Sequence, residues 1–220
     1  MMKKNKPEQR DGRFKRYFEI QEIRAVEPTA DEPGAMIEGF AIPYEAYTNV
    51  GDWFKEIIKR GALDGADLKD VPFFIHHIHQ AIPLARSRNN NVNSTMQLII
   101  DDRGLSFRAK LDVENNTDAR ALYSAVKRQD VSGMSFRFDV KEEKWLNLDT
   151  ELPTREIHKI NKIYEISALW SPQYEETNIM ARDEALDSAD KLALENARSR
   201  GLDSSGELEA LRLAKAKLEL

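Results

Sequence analysis

The side chains able to do chemistry in this chain are few and widely separated. Three of its four histidines stand together at His76, His77 and His79. Histidine suits proton transfer near neutral pH, because its unperturbed pKa lies close to that range. The same cluster also reads as polar residues closing a strand, or as metal ligands. His77 and His79 share a strand face in that last reading, but a His-x-His pair still needs a third ligand. Ser135 follows Gly133-Met134 inside an alternating segment. A serine hydroxyl is a weak nucleophile until a neighbouring base takes its proton, so a serine site demands a histidine brought to it across space. Without that partner Ser135 is an ordinary serine on the polar side of a strand. Glu165 interrupts the apolar run Tyr164–Trp170. A carboxylate there would orient a histidine and stabilise its cation, or else pair with Arg137 or Arg155. Asp139 and Asp118 compete for the same role.

Composition removes several chemistries. The chain has 220 residues and no cysteine. Thiolate nucleophiles, thiolate metal sites and disulfides are therefore excluded, which fits a reducing compartment. No glycine-rich phosphate loop is present. A net charge of -5 argues against nucleic acid as the main partner, since neutralising phosphates requires an excess of Lys and Arg. No apolar run approaches the roughly 20 residues of a membrane helix. The basic start Met1–Pro7 lacks the apolar stretch of a signal peptide. The expectation is a cytosolic protein with no membrane partner, no cofactor and no resident metal.

The elements that must position these residues follow from apolar periodicity. Residues 1–16 are polar and basic and read as a flexible arm, with a first strand from Tyr17. Met36–Ala41 reads as another strand. Asp52 followed by Trp53, Phe54, Ile57 and Ile58 reads as a capped helix that Gly61 ends. Val71–Ile75 is a buried strand running straight into the histidines. Met96–Asp101 and Leu105–Leu111 alternate with period two around an Asp101-Asp102-Arg103-Gly104 turn. Thr117 caps a helix carrying Leu122, Tyr123 and Val126. In Gly133–Val140, Met134, Phe136, Phe138 and Val140 point one way, while Ser135, Arg137 and Asp139 point the other. A long strand runs from about Ile157 to Trp170. Beyond Arg182, Ala, Leu, Glu and Lys dominate, so 183–220 reads as amphipathic helix outside the core, with a capping box at Ser204–Glu207. The fold class is α+β and mainly β: a small closed or partly closed barrel with surrounding helices, spanning 17–182, plus that helical tail.

Taken together, these segments resemble the prohead serine protease family of tailed bacteriophages, related in fold to the herpesvirus assembly proteases. The resemblance runs from about residue 36 to 182. Gly39-Phe40-Ala41 is similar to the family's Gly-aromatic-Ala strand, and Phe54–Leu63 to its helix ending in Gly-Ala-Phe. Asp70–His77 is similar to the strand entering its Asn-His-Asp motif, here His76-His77-Ile78 without the final carboxylate. Asp101–Phe107 resembles its Asp-Arg-Gly-Leu hairpin, Asp130–Phe138 its nucleophile block, and Glu165–Leu169 with Pro172-Gln173-Tyr174 its last strand and exit. The family's glycine after the serine block is Arg137 here, and its Pro-Ile-Gly is Pro83-Leu84-Ala85. The resemblance implies His77 as base, Ser135 as nucleophile and Glu165 as the acid completing a triad. It also implies partners: the major capsid protein with its scaffolding segment, and the chain itself, cut inside the assembling prohead.

Overall fold

The computed structural model describes residues 13–18, 23–78, 80–170 and 188–201. Strands dominate. They are β1 (Arg13–Phe18), β2 (Arg24–Val26), β3 (Ala35–Pro43), β4 (Tyr47–Val50), β5 (Phe54–Ile58), β6 (Val71–Ile75), β7 (Ala85–Ser87), β8 (Met96–Asp101) and β9 (Gly104–Leu111). Helix α1 (Thr117–Lys127) precedes the two long strands β10 (Gly133–Leu146) and β11 (Thr154–Leu169). A second helix, α2, covers 188–201.

Among the described residues these strands form two sheets and do not close into the expected barrel. One sheet has seven strands, with the order β1-β10-β11-β5-β4, while β6 pairs with β11 and β7 with β6. The other runs β2-β3-β9-β8. Both sheets contribute to one apolar core. Phe136, Phe138, Ile163 and Ile166 come from the first, and Ile37, Leu105 and Phe107 from the second. Phe73 and Phe107 meet across it with ring centroids 5.5 Å apart. The alternation read at Met134–Phe138 is what turns these rings inward, and Ser135 outward with its register partner Ser167.

Strand β11 is the organising element. It pairs antiparallel with β10 from Gly133↔Leu169 to Leu146↔Thr154. On its other side it runs parallel to β5 through its first residues and to β6 through its last. That position explains the main error of the pattern reading: Phe54–Ile58 is a strand, not a helix. Phe54, Ile57 and Ile58 are all buried because a strand inside a sheet loses solvent on both faces, and its apolar residues then cease to alternate. α1 forms as expected, but its cap is Asn116, whose side chain accepts from the amides of Asp118 and Ala119 at 2.9 and 3.2 Å. Thr117 is the first helical residue.

The ends of the chain also differ from the pattern. β1 begins at Arg13, inside the segment read as a flexible arm, and pairs antiparallel with β10. Helix α2, from the segment expected outside the core, lies on β5: Leu194 packs with Val50 and Phe54, and Trp53, Trp145 and Leu148 surround them. A buried charge cluster joins the two ends. Arg16 of β1 bonds Glu56 of β5 (Nη2 to Oε2, 2.8 Å) and Asp190 of α2 (Nη2 to Oδ1, 2.7 Å). Arg155 reaches Glu56 at 3.2 Å and also bonds Glu143. The expected capping box at Ser204–Glu207 lies outside the described residues.

The β8–β9 turn follows the sequence reading. Gly104 takes φ +140°, and a Cβ built there would stand 1.9 Å from the carbonyl oxygen of Ile42. Gly104→Ala is therefore expected to lower the unfolding free energy by about 3 kcal/mol. Thermal unfolding would then fall by roughly 6–12 °C; a melting curve within 2 °C of wild type would show the turn to be more yielding than described.

Candidate active site

Three adjacent strands supply the site. Ser135 on β10 pairs with Ser167 on β11, and Ser167 in turn pairs with Phe74 on β6. Neighbouring strands lie about 4.8 Å apart, so a residue leaving β6 must cross β11 to reach Ser135. The amide of His76 continues the β6 ladder by one bond, to the carbonyl of Ala168 at 3.1 Å. The backbone then turns sharply. His76 and His77 both take the left-handed conformation, at φ 51° and 56°, and Ile78 N–H closes the turn on Ile75 O at 3.1 Å. Two consecutive positive φ values make this a type I′ turn, which Asn, Asp and His tolerate better than most residues. The turn lifts the His77 ring over β11. Ser167, fully buried and small, lies beneath it with Oγ 3.3 Å from His77 Nδ1.

The ring bridges the two residues singled out with it. His77 Nδ1 faces Glu165 Oε1, and His77 Nε2 lies 2.7 Å from Ser135 Oγ. Glu165 is 2% exposed, so its carboxylate holds its bond with almost no competition from water. An ionised carboxylate only accepts, which places the ring proton on Nδ1, donated to Glu165, and leaves Nε2 with a free lone pair toward the serine hydroxyl. The hydroxyl has a second acceptor, the main-chain carbonyl of Arg16, at 2.7 Å.

The remaining candidates separate. Asp139 accepts from Asn161 Nδ2 at 2.9 Å, and Asp118 lies in the first turn of α1. Arg155 is committed to Glu56 and Glu143 rather than to Glu165. Of the histidine cluster, His79 lies outside the described residues, and both ring nitrogens of His77 are engaged by Glu165 and Ser135. The His76 ring lies against Trp170 in a tilted arrangement, with 51° between the ring planes, and its Nε2 has no hydrogen-bond partner among the described residues. Among the described residues no group of His, Asp and Glu gathers as a metal site, and no helix is long and apolar enough to cross a membrane. Sequence reasoning missed Ser167, whose signal is its small size within a run of larger apolar residues. It also missed the approach of β1, hidden by the basic residues that alternate with Phe14.

A serine, a histidine and a buried carboxylate in line are the residue types that acyl transfer by a serine requires. The family model for the Caudovirus prohead serine proteases matches residues 20–192, and the chain belongs to that family. Family membership makes it a protease of phage head assembly. Among solved structures it is similar to the capsid assembly protease gp21 of bacteriophage T4, at 15% identity and a TM-score of 0.42, covering 74% of this chain and 100% of that one. No curated protein sequence matches it.

The environment of His76 has a measurable consequence. Burial, and then the neighbouring His77, pull its pKa down from 6.5 to about 4. Between those values the unfolded chain binds a proton that the folded chain does not, so stability is complete above pH 6.5 and declines as pH falls toward 4. His76→Asn, which suits the left-handed turn, is expected to flatten that decline in denaturant midpoints measured from pH 7 to 4. Equal slopes for the two proteins would remove His76 as its source.

Proposed function

We propose that this chain is the maturation endopeptidase of a phage prohead, with Ser135 as nucleophile, His77 as general base and Glu165 as the carboxylate that orients His77. The observation carrying this reading is the His77 ring, held between Glu165 and Ser135 by residues 88 and 58 positions away in sequence. Such contacts have no local cause, and they join the residue types that acyl transfer requires.

In this mechanism His77 Nε2 takes the Ser135 proton as Oγ adds to a peptide carbonyl carbon. The imidazolium so formed is stabilised by the carboxylate of buried Glu165. His77 then returns the proton to the leaving amine, and water releases the acyl group by the same route. Ser167 fills the space under the ring and limits its tilt. The substrates are the scaffolding segment of the major capsid protein and exposed parts of the chain itself. Confinement of many copies inside the assembling shell would raise local concentration and relax the need for tight binding.

Intact mass of the co-expressed capsid protein tests the reading. Loss of an N-terminal segment is expected with wild type and not with Ser135→Ala. An uncut capsid protein that still co-assembles with the wild-type chain would instead indicate an inert assembly factor. Glu165→Gln keeps the shape but removes the charge that fixes the His77 tautomer. It is expected to lower kcat on the order of 10³–10⁴-fold with little change in KM; a loss under tenfold would take Glu165 out of the mechanism.

A further inference from the structure

Ser135 is 2% exposed, with the His77 ring on one side of its hydroxyl and the main chain of the chain's own β1 on the other. Among the described residues β1 is an edge strand of the seven-stranded sheet, paired antiparallel with the nucleophile's strand from Arg13↔Asp139 to Phe18↔Met134. Extended peptides commonly bind proteins by adding a strand to a sheet edge. Remove β1, and the edge of β10 that carries Ser135 becomes such a site. The Arg16 carbonyl oxygen accepts from Ser135 Oγ at 2.7 Å, so Arg16 is the residue whose main chain meets the nucleophile. The family match begins only at residue 20, which leaves β1 outside it.

The Arg16 side chain is held as firmly as its carbonyl. Its guanidinium is buried between the carboxylates of Glu56 and Asp190, over the rings of Phe14 and Phe138 at 5.4 and 5.8 Å. Burial pulls its pKa down, and the two carboxylates more than offset that, leaving it above the ordinary arginine value. If Arg16 leaves, the cation that Glu56, Glu143 and Asp190 share among the described residues is the Arg155 guanidinium, with the Trp145 indole N–H donating to Glu143 as well. A buried site with surplus carboxylate disfavours an apolar or acidic occupant and favours a cation.

We propose that β1 is a resident substrate mimic: it blocks the groove along β10, and the Glu56–Asp190 cage it fills selects a basic residue in the substrate, immediately before the bond that is cut. The inference rests on the serine-protease reading above and adds its substrate class and its regulation. In the pose described, the carbonyl oxygen meets Oγ, so the strand sits as an inhibitor. In a productive substrate Oγ bonds to the carbonyl carbon of the Arg or Lys residue, and its proton passes to His77 Nε2. The C–N bond then breaks with its electron pair on the departing nitrogen, which takes the proton back from His77. Water releases the carboxylic acid by the same steps.

The test uses the full chain. A fluorophosphonate probe should label Ser135 at least tenfold faster in Arg16→Ala than in wild type, with Arg16→Lys keeping a slow rate. A peptide pool mapped by mass spectrometry should show Ser135-dependent cuts after Arg or Lys, favoured at least tenfold over Leu or Glu. Asp190→Asn should reduce that preference severalfold. Equal labelling of Arg16→Ala and wild type, or cuts with no preference for a basic residue, would overturn the proposal while the nucleophile stands. No labelling of Ser135 in any variant would overturn the serine-protease reading, and this inference with it.

Discussion

A histidine ring can reach across one strand of a sheet and no further, and the whole site obeys that limit. Ser135 and the His77 turn belong to strands on opposite sides of β11, so the strand between them must present something small. Ser167 does so, and Glu165, two residues earlier on β11, supplies the carboxylate that fixes the ring. The rest of the domain keeps β11 paired on both sides. β10 runs along one edge, while β5 and β6 divide the other between them. The second sheet buries the apolar face through Ile37, Leu105 and Phe107. The left-handed turn at His76-His77 is a local strain of about 1–2 kcal/mol per residue, accepted where the ring must leave the sheet plane.

Much of this was readable from residue order because each feature has a local cause. Alternation at Met134–Phe138 put Ser135 on the face opposite the core rings, and the Asp101–Gly104 turn announced its hairpin. Glu165 was visible as one charge in an apolar run, though its meeting with His77 came only from a resemblance and then from the fold. What could not be read has non-local causes. Phe54–Ile58 carries a spacing that suits either a helix face or a strand buried on both sides, and only its pairing with β11 and β4 decides between them. Arg16 looks like part of a solvated tail until Glu56 and Asp190, 40 and 174 residues away, provide its partners.

That charge cluster is an expensive way to hold a strand. Burying guanidinium and carboxylate groups costs several kcal/mol per ion before their attraction repays it, and apolar residues of similar volume often do as well. Its value lies in placement. Arg16 bonds two carboxylates through both faces of its fork, which fixes the position of β1 along β10 more sharply than the backbone ladder would, because a ladder tolerates slippage. Asp190 stands above the ordinary carboxylate pKa because burial raises it, with Arg16 opposing. The pair is therefore mutually dependent: each charge is tolerable only while the other is present.

The same ion pair sets an order of events during synthesis. Arg16 leaves the ribosome early, and its partner Asp190 follows 174 residues later. At ~5–20 residues per second, the stretch from Leu169, the end of β11, to Asp190 takes on the order of 1–4 s to emerge. In that interval β10 and β11 are complete and able to pair, while the clasp between β1 and α2 cannot yet exist. Contacts of such long sequence separation close last in folding, because the loop entropy must be spent before they form. The newborn chain thus passes through a stage with its central hairpin made and its two ends not yet joined.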